Sequence, residues 1–254
     1  MPIHFLADMT WPEAAELARR TSLALVPTGA TEAHGPHLPL QTDVIIAQGS
    51  FRRASELLAA DGIECAIAPP FYYGVTNFGM PFAGTVTIPD ETLTQLVVAV
   101  CKSLATHGFN RIVFSNHHLE PAHFAAIKEG ARQVIESGVA RAAVPDVRDV
   151  RWAATLTAEF RAGSRHAGSY ETSLVMADRP DLVREAERRN LPPLWIDLPD
   201  RIRNHGARTF KEAGSELVYF GDPARASKEE GEAMFAALGH MIADTAKELL
   251  VEGR

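Results

Sequence analysis

The sequence predicts an α/β fold in which helices cover both faces of a mainly parallel central sheet. Short apolar segments typical of buried strands alternate with longer segments that have the apolar spacing of helices. The strand segments are apolar at nearly every position, as in parallel sheets with two buried faces. The chain has 254 residues, of which 46% are hydrophobic, and this is enough for one large core.

The first half of the chain contains the clearest elements. Thr10 and Glu13 form a capping box that predicts a first helix ending near Arg20. A helix is expected to follow Asp43 and end near Gly62, and two long loops rich in glycine, proline or histidine are expected at 28–41 and 71–87. The remaining predicted elements are strands at 22–27, 64–68, 111–115 and 139–144 and helices at 90–107 and 121–137.

The second half is less regular. A glycine-containing turn at 165–170 leads into a predicted helix at 171–177, and residues 191–200 are predicted to form a proline-rich connection. Ser227 and Glu230 form a capping box for a last helix at about 228–251. Because no repeat, low-complexity tract or linker divides the chain, we expect a single domain spanning residues 1–254.

Composition excludes several classes of function. The formal net charge is −7 and no block of like charges stands out, so nucleic-acid binding is not expected. The longest apolar run, Leu96–Cys101, is far shorter than a membrane span. Cys65 and Cys101 lie in apolar surroundings typical of buried, reduced thiols, and no signal peptide is evident. We therefore expect a cytoplasmic protein whose partner is a small molecule.

Histidine and acidic side chains follow two of the predicted strands directly. Glu32, His34 and Asp43 come after the first strand, and His118 and Glu120 come after the third. Carboxyl ends of parallel strands meet at one edge of a sheet, where sites form. Imidazole and carboxylate ligands without thiolate suit Zn, Mn, Fe or Co, and five ligands exceed what one catalytic zinc usually takes. The sequence therefore predicts a site for two metals, with Asp43 as a bridge.

Four further histidines lie in or near these segments. His37, His117 and His123 are expected to support the ligands or lie on a helix surface rather than bind metal. His166 precedes a glycine turn, where an imidazole can act as a general acid or base near neutral pH. The alternative is that His166 is a surface residue and that Glu171 only complements a helix N-terminus.

The segment 26–43, Val-Pro-Thr-Gly-Ala-Thr-Glu-Ala-His-Gly-Pro-His-Leu-Pro-Leu-Gln-Thr-Asp, resembles the opening signature of the creatininase (creatinine amidohydrolase) family. Similar segments follow in the family's order at 82–85, 116–120, 166–173 and 221–231, so the resemblance covers nearly the whole chain. It implies a three-layer α/β/α domain, a homohexamer, and two metals that are Zn with Mn or a second Zn, with Fe possible.

The resemblance also implies ligand roles by position. Glu32 and His118 would hold one metal, His34 and Glu120 would hold the other, and Asp43 would bridge the two.

The same resemblance assigns residues around the substrate. It implies that His166 shuttles a proton and that Thr76 and Leu119 contact the substrate. Arg165 stands where the family usually has an acidic residue, which indicates an anionic substrate group, and Tyr170 of the same motif is a further candidate contact. Ala162 replaces a tryptophan that encloses creatinine in creatininases proper, so creatinine itself is not the expected substrate.

The main hypothesis is a dinuclear metal-dependent amidohydrolase that cleaves a non-peptide C–N amide bond in a small cyclic or formylated substrate. Activated water would attack the carbonyl carbon, and His166 would protonate the leaving nitrogen. Three alternatives remain open: a formamide hydrolase acting on a nucleotide precursor, a peptidase for a small peptide, and a non-catalytic, metal-stabilised metabolite-binding protein. Whether Glu171 and His117 support the metal ligands also stays open.

Overall fold

The computed structural model describes residues 2–251. Five strands form one sheet in the order β1-β3-β2-β4-β5, and every neighbouring pair is parallel. The predicted parallel sheet is therefore confirmed. The strands are β1 (His4–Phe5), β2 (Leu23–Thr28), β3 (Ala66–Ile67), β4 (Arg111–Asn116) and β5 (Arg141–Ala143).

Ten α-helices connect and follow the strands within the described residues. They are α1 (Trp11–Arg20), α2 (Thr42–Ala60), α3 (Asp90–Thr106), α4 (Pro121–Glu136), α5 (Val150–Ala153), α6 (Ala158–Arg161), α7 (Ser169–Asp178), α8 (Glu185–Asn190), α9 (Leu198–His205) and α10 (Lys228–Val251). Three short 3-10 helices lie at Leu6–Asp8, Pro180–Leu182 and Pro223–Arg225.

Alternate residues of β2 point to opposite faces of the sheet, and both faces are covered. Leu23 and Leu25 pack in a buried cluster with residues of α2, α7 and α10. Ala24 and Val26 pack in a second cluster with residues of α1, α3 and α4. The fold is therefore a three-layer α/β/α arrangement, and each core layer lies between the sheet and one set of helices.

The short helices α5, α6 and α8 were not predicted, and the elements differ from the sequence prediction in three further respects. The edge strand β1 was not predicted because two residues are too short to show a periodic pattern. Asp43 lies inside α2 rather than before it. The predicted proline-rich connection contains the start of α9, because Pro199 is tolerated in the first turn of a helix and Asp197 accepts a hydrogen bond from Asp200 N at 3.0 Å.

The two cysteines occupy different core layers. Cys65 packs in the cluster of α2, α7 and α10, and Cys101 packs in the cluster of α1, α3 and α4. Both thiols are buried and free, as the sequence predicted. Over residues 2–251 no helix is long and apolar enough to cross a membrane.

Candidate metal centre

Two adjacent strands deliver the predicted ligands to one edge of the sheet. Thr28, the last residue of β2, is in register with Asn116, the last residue of β4. The Thr28 hydroxyl also donates a hydrogen bond to the Ser115 carbonyl at 3.0 Å, which fixes the two strand ends together. Glu32 therefore follows one strand end and His118 follows the next, and both side chains are buried.

A glycine lets the chain after β2 pack against the start of α2. A Cβ atom on Gly29 would lie 2.7 Å from the Asp43 Cβ and 2.9 Å from the Val44 nitrogen, which is too close for any side chain. The next backbone amide, Ala30 N, donates to Asp43 Oδ2 at 3.2 Å. This close approach brings Asp43, in the first turn of α2, to the edge where the strand-end residues lie.

His118 is held in the orientation that a metal ligand needs. Its Nε2 donates to the Val75 carbonyl at 2.8 Å, so the lone pair of Nδ1 is free. That Nδ1 lies 3.2 Å from Glu32 Oε2 and 3.2 Å from Asp43 Oδ2. Thr76 donates its hydroxyl hydrogen to Glu32 Oε1, so the other carboxylate oxygen is left facing His118.

In His34 the two ring nitrogens have the opposite roles to those in His118. Its Nδ1 donates to the Glu32 carbonyl at 3.0 Å, while its buried Nε2 has no hydrogen-bond partner within residues 2–251. The Nε2 atom lies 3.3 Å from Asp43 Oδ1 and 3.7 Å from Glu171 Oε2. Each oxygen of Asp43 thus faces a different histidine, which is the geometry of a carboxylate that bridges two sites.

The charges of this cluster fit bound cations. Glu32, Asp43 and Glu171 are buried together, and buried carboxylates need positive partners. Burial disfavours a charged His34, but Asp43 and Glu171 outweigh burial and raise the pKa of His34 to about 10. Without a cation, the site can therefore balance its charge only by holding protons on side chains of the cluster, such as His34 and Glu171. Carboxylate and imidazole donors of this kind suit divalent transition metals.

The two remaining acidic residues divide differently from what the family resemblance implied. Glu120 groups with Glu32 and His118, because its carboxylate accepts hydrogen bonds from the Asn77 and Phe78 amides at 3.0 and 3.2 Å. Glu171 instead groups with His34 and Asp43, and it accepts a hydrogen bond from Ala167 N at 2.6 Å. The structure therefore does not pair His34 with Glu120.

Glu171 is an acidic residue in the first turn of α7, which is the only sign that its sequence position gives. The structure adds that all residues from Ser169 to Val175 are buried. An acidic side chain in a wholly buried helix start needs a polar or charged partner, so Glu171 does more than complement the helix dipole. Burial raises the pKa of Glu171 to about 8 despite the nearby His34.

His166 lies beside the cluster in a fixed orientation. Its Nε2 donates to the Ala33 carbonyl at 2.9 Å, and its Nδ1 lies 3.8 Å from Glu32 Oε2. The ring stacks on Phe210 with centroids 4.1 Å apart. Burial and the positive charge of His34 lower the pKa of His166 to about 3. His166 is therefore neutral near pH 7, and the lone pair of its Nδ1 is directed toward Glu32.

His117 and His123 both support the site from outside the ligand groups. His123 Nε2 donates to Asn116 Oδ1 at 3.0 Å, and its Nδ1 accepts a hydrogen bond from Val75 N at 3.2 Å. His123 therefore holds Val75, whose carbonyl orients His118. His117 Nε2 contacts Ser115 Oγ at 3.0 Å. Burial lowers the pKa of His117 to about 4, so it is neutral near pH 7.

A cavity of about 430 Å³ opens onto the cluster, a size typical of small-molecule sites. Leu119 and Arg165 line it, as the sequence analysis expected of substrate contacts. Thr76 lies behind Glu32, and Tyr170 packs in the core against Phe160 with ring centroids 4.9 Å apart, so neither lines the cavity. The cavity is also lined by residues that the sequence did not indicate: Phe78, Pro121, Arg148, Leu198, Pro199, Ile202, Arg203 and Phe210.

These features define a protein with a buried cluster of metal-binding type at the carboxyl edge of a parallel α/β sheet. The family model for creatininase, creatinine amidohydrolase, matches residues 7–246. The chain belongs to the creatininase family and is a hydrolase of that family.

Individual relatives cover most of the chain. A mycofactocin precursor peptide peptidase of Mycolicibacterium smegmatis is 34% identical over 248 residues, which are 96% of this chain and 92% of that protein. A creatinine amidohydrolase of Pseudomonas putida is 29% identical over 272 residues, covering 96% of each chain. A solved structure described as "Creatininase Mn" has a TM-score of 0.77 at 27% identity, covering 97% of this chain and 98% of that one.

Proposed function

We propose that this protein is a dinuclear metal-dependent amidohydrolase. The observation that carries the proposal is Asp43, whose two carboxylate oxygens lie 3.3 and 3.2 Å from His34 and His118. One ion would be held by Asp43, His118 and Glu32, with Glu120 beside them. The other would be held by Asp43, His34 and Glu171. Zn with Mn or a second Zn suits these donors, and Fe is chemically compatible with them.

Two divalent ions at this position would activate a water molecule and polarise the carbonyl of an amide. The residues of the chain supply the rest of the chemistry. His166 Nδ1 accepts the proton of the attacking water and returns it to the leaving nitrogen. The hydrogen bond to Ala33 and the stack on Phe210 keep that nitrogen aimed at Glu32 and the cluster.

The proposed substrate is a small cyclic or formylated compound with a non-peptide C–N amide bond. The cavity of about 430 Å³ accommodates such a molecule. A second candidate is a short peptide, because the mycobacterial relative at 34% identity is described as a peptide peptidase. Both candidates use the same attack on an amide carbonyl, so they differ only in what occupies the cavity.

The proposal extends to the state of the protein. We infer one domain per chain, location in the cytoplasm, and assembly into a homo-oligomer, which the creatininase resemblance implies to be a hexamer. Sedimentation analysis of the purified protein tests the assembly, and a monomer at micromolar concentration would contradict it.

The first experiment measures metals per chain in protein purified without added metal. A parallel screen offers cyclic ureas, lactams, formamides and short peptides. About two divalent ions per chain with turnover of one substrate class is the expected result. If no metal is present and neither Zn nor Mn binds on titration, the ligand residues are structural polar groups and the metabolite-binding alternative takes precedence.

Two variants test the residue roles. Asp43→Ala should abolish turnover and lower metal content, because it removes the carboxylate shared by both ligand groups. His166→Ala should keep the metal and slow turnover; loss of metal would instead make His166 a ligand. His240→Ala, on the exposed side of α10, is the matched control and should retain both metal and turnover.

A further inference from the structure

Three arginine side chains line the same cavity as the acidic cluster. Arg148 comes from the loop between β5 and α5, Arg165 from the loop before α7, and Arg203 from α9. Gathering like charges from three separate segments costs free energy. A guanidinium has only donors and cannot bind a metal ion, so metal binding does not explain the arginines.

Two of these arginines present free ends to the cavity. Arg165 Nε donates to the Phe160 carbonyl at 2.8 Å, and its guanidinium lies 4.7 Å above the Phe160 ring. Arg203 Nε donates to the Pro199 carbonyl at 3.2 Å. Among residues 2–251 neither forms an ion pair with an acidic side chain. The terminal nitrogens of both therefore remain available as forks that match the two oxygens of an anion.

Arg148, in contrast, is paired with an acidic side chain. Its Nε and Nη2 each lie 2.8 Å from an oxygen of Asp146. Burial, and then the positive charges of Arg148 and Arg203, lower the pKa of Arg165, while Asp197 and Asp146 oppose this change. The guanidinium groups of Arg148, Arg165 and Arg203 carry three positive charges, and the carboxylates of Asp146 and Asp197 carry two negative charges. This side of the cavity therefore has one net positive charge.

We propose that Arg165 and Arg203, supported by Arg148, bind an oxyanion of the substrate while its amide lies at the acidic cluster. The oxyanion is a carboxylate or a phosphate, since both present paired oxygens to a guanidinium fork. This inference rests on the proposed function and narrows its substrate to amides that carry a negative group. A neutral amide would leave the two free forks without a partner.

Direct binding tests the anion site without turnover. Isothermal titration of the purified protein uses inorganic phosphate and acetate as probes. Arg165→Gln and Arg203→Gln should each weaken binding of the preferred probe about ten-fold, which corresponds to about 1.4 kcal/mol. Arg201→Gln is the matched control, because Arg201 is exposed on the same helix and does not line the cavity. Absence of binding to the wild type, or equal binding to all variants, would overturn the anion site.

Paired substrates identify the source of the oxyanion. The carboxylate arm compares N-formylglycine with N-formylglycinamide, and the phosphate arm compares N-formylethanolamine phosphate with N-formylethanolamine. The wild type should prefer the anionic member of one pair in kcat/KM, and Arg165→Gln should reduce that preference about ten-fold through KM. Turnover without any arginine-dependent preference would overturn the anion site and leave the hydrolase standing. Arginine-dependent binding without turnover of any amide would support the anion site and contradict the proposed hydrolase activity.

Discussion

Replacing Glu159 should destabilise the segment that carries His166 and Glu171. Glu159 lies in α6, is 6% exposed, and accepts hydrogen bonds from Tyr170 N at 3.0 Å and Asp222 N at 2.7 Å. The first of these amides belongs to the opening turn of α7, where helix amides have no internal partner. The carboxylate thus ties the start of α7 to the chain near residue 222.

The structure sets the expected magnitude. A buried donor left without its acceptor costs about 1–3 kcal/mol. Glu159→Ala leaves the buried Tyr170 amide and the half-buried Asp222 amide without their acceptor. Taking the full penalty for the first and about half of it for the second, the free energy of unfolding should fall by about 1.5–4.5 kcal/mol. Glu159→Gln keeps one acceptor oxygen and should cost about half as much. Burial raises the pKa of Glu159, because burying its negative charge costs free energy. The neutral amide of glutamine avoids this cost, so the stability of the Gln variant should lie still closer to that of the wild type.

Urea unfolding of both variants measures these losses, with Glu187→Ala as the control. Glu187 is exposed in α8, and its replacement should change the free energy of unfolding by less than about 0.5 kcal/mol. Turnover and metal content should fall with Glu159→Ala, because α7 carries Glu171. The reasoning is refuted if both Glu159 variants unfold like the control, or if Gln and Ala cost the same.

Three further predictions concern single side chains. For the proposed two-metal site, Glu171→Gln should lower the metal content from two ions toward one while Asp43 still holds the other, as elemental analysis would show; two retained ions would remove Glu171 from the proposed ligands. Gly29→Ala should displace Asp43 and reduce metal affinity, measured by titration, because its Cβ would lie 2.7 Å from the Asp43 Cβ. Burial raises the pKa of Cys65 to about 11 and that of Cys101 to about 12. Since the unfolded thiol has a pKa of about 8.5, both should resist alkylation at pH 8.5 until the protein unfolds, and their contribution to stability should be lost as the pH rises from about 8.5 toward 12.

The sequence predicted the elements whose signals are local. Strands β2 and β4 are buried at nearly every position, so their apolar runs were sufficient to locate them. Ligand residue types directly after these strands then predicted a cluster at one sheet edge, because parallel strands end together. The edge strand β1 and the helix α9 were missed, since two residues show no period and prolines near a helix start resemble a connection.

What only the tertiary structure decided is where the side chains point. Glu120 turns toward His118 because amides of a distant loop, Asn77 and Phe78, hold its carboxylate. Arg148 and Arg203 reach one cavity from segments that are far apart in the chain. The sequence by itself determined the chemical types available at the sheet edge and the strands that deliver them. The grouping of the acidic and histidine side chains, and the positions of the arginines opposite them, depend on contacts between remote segments, which no local pattern encodes.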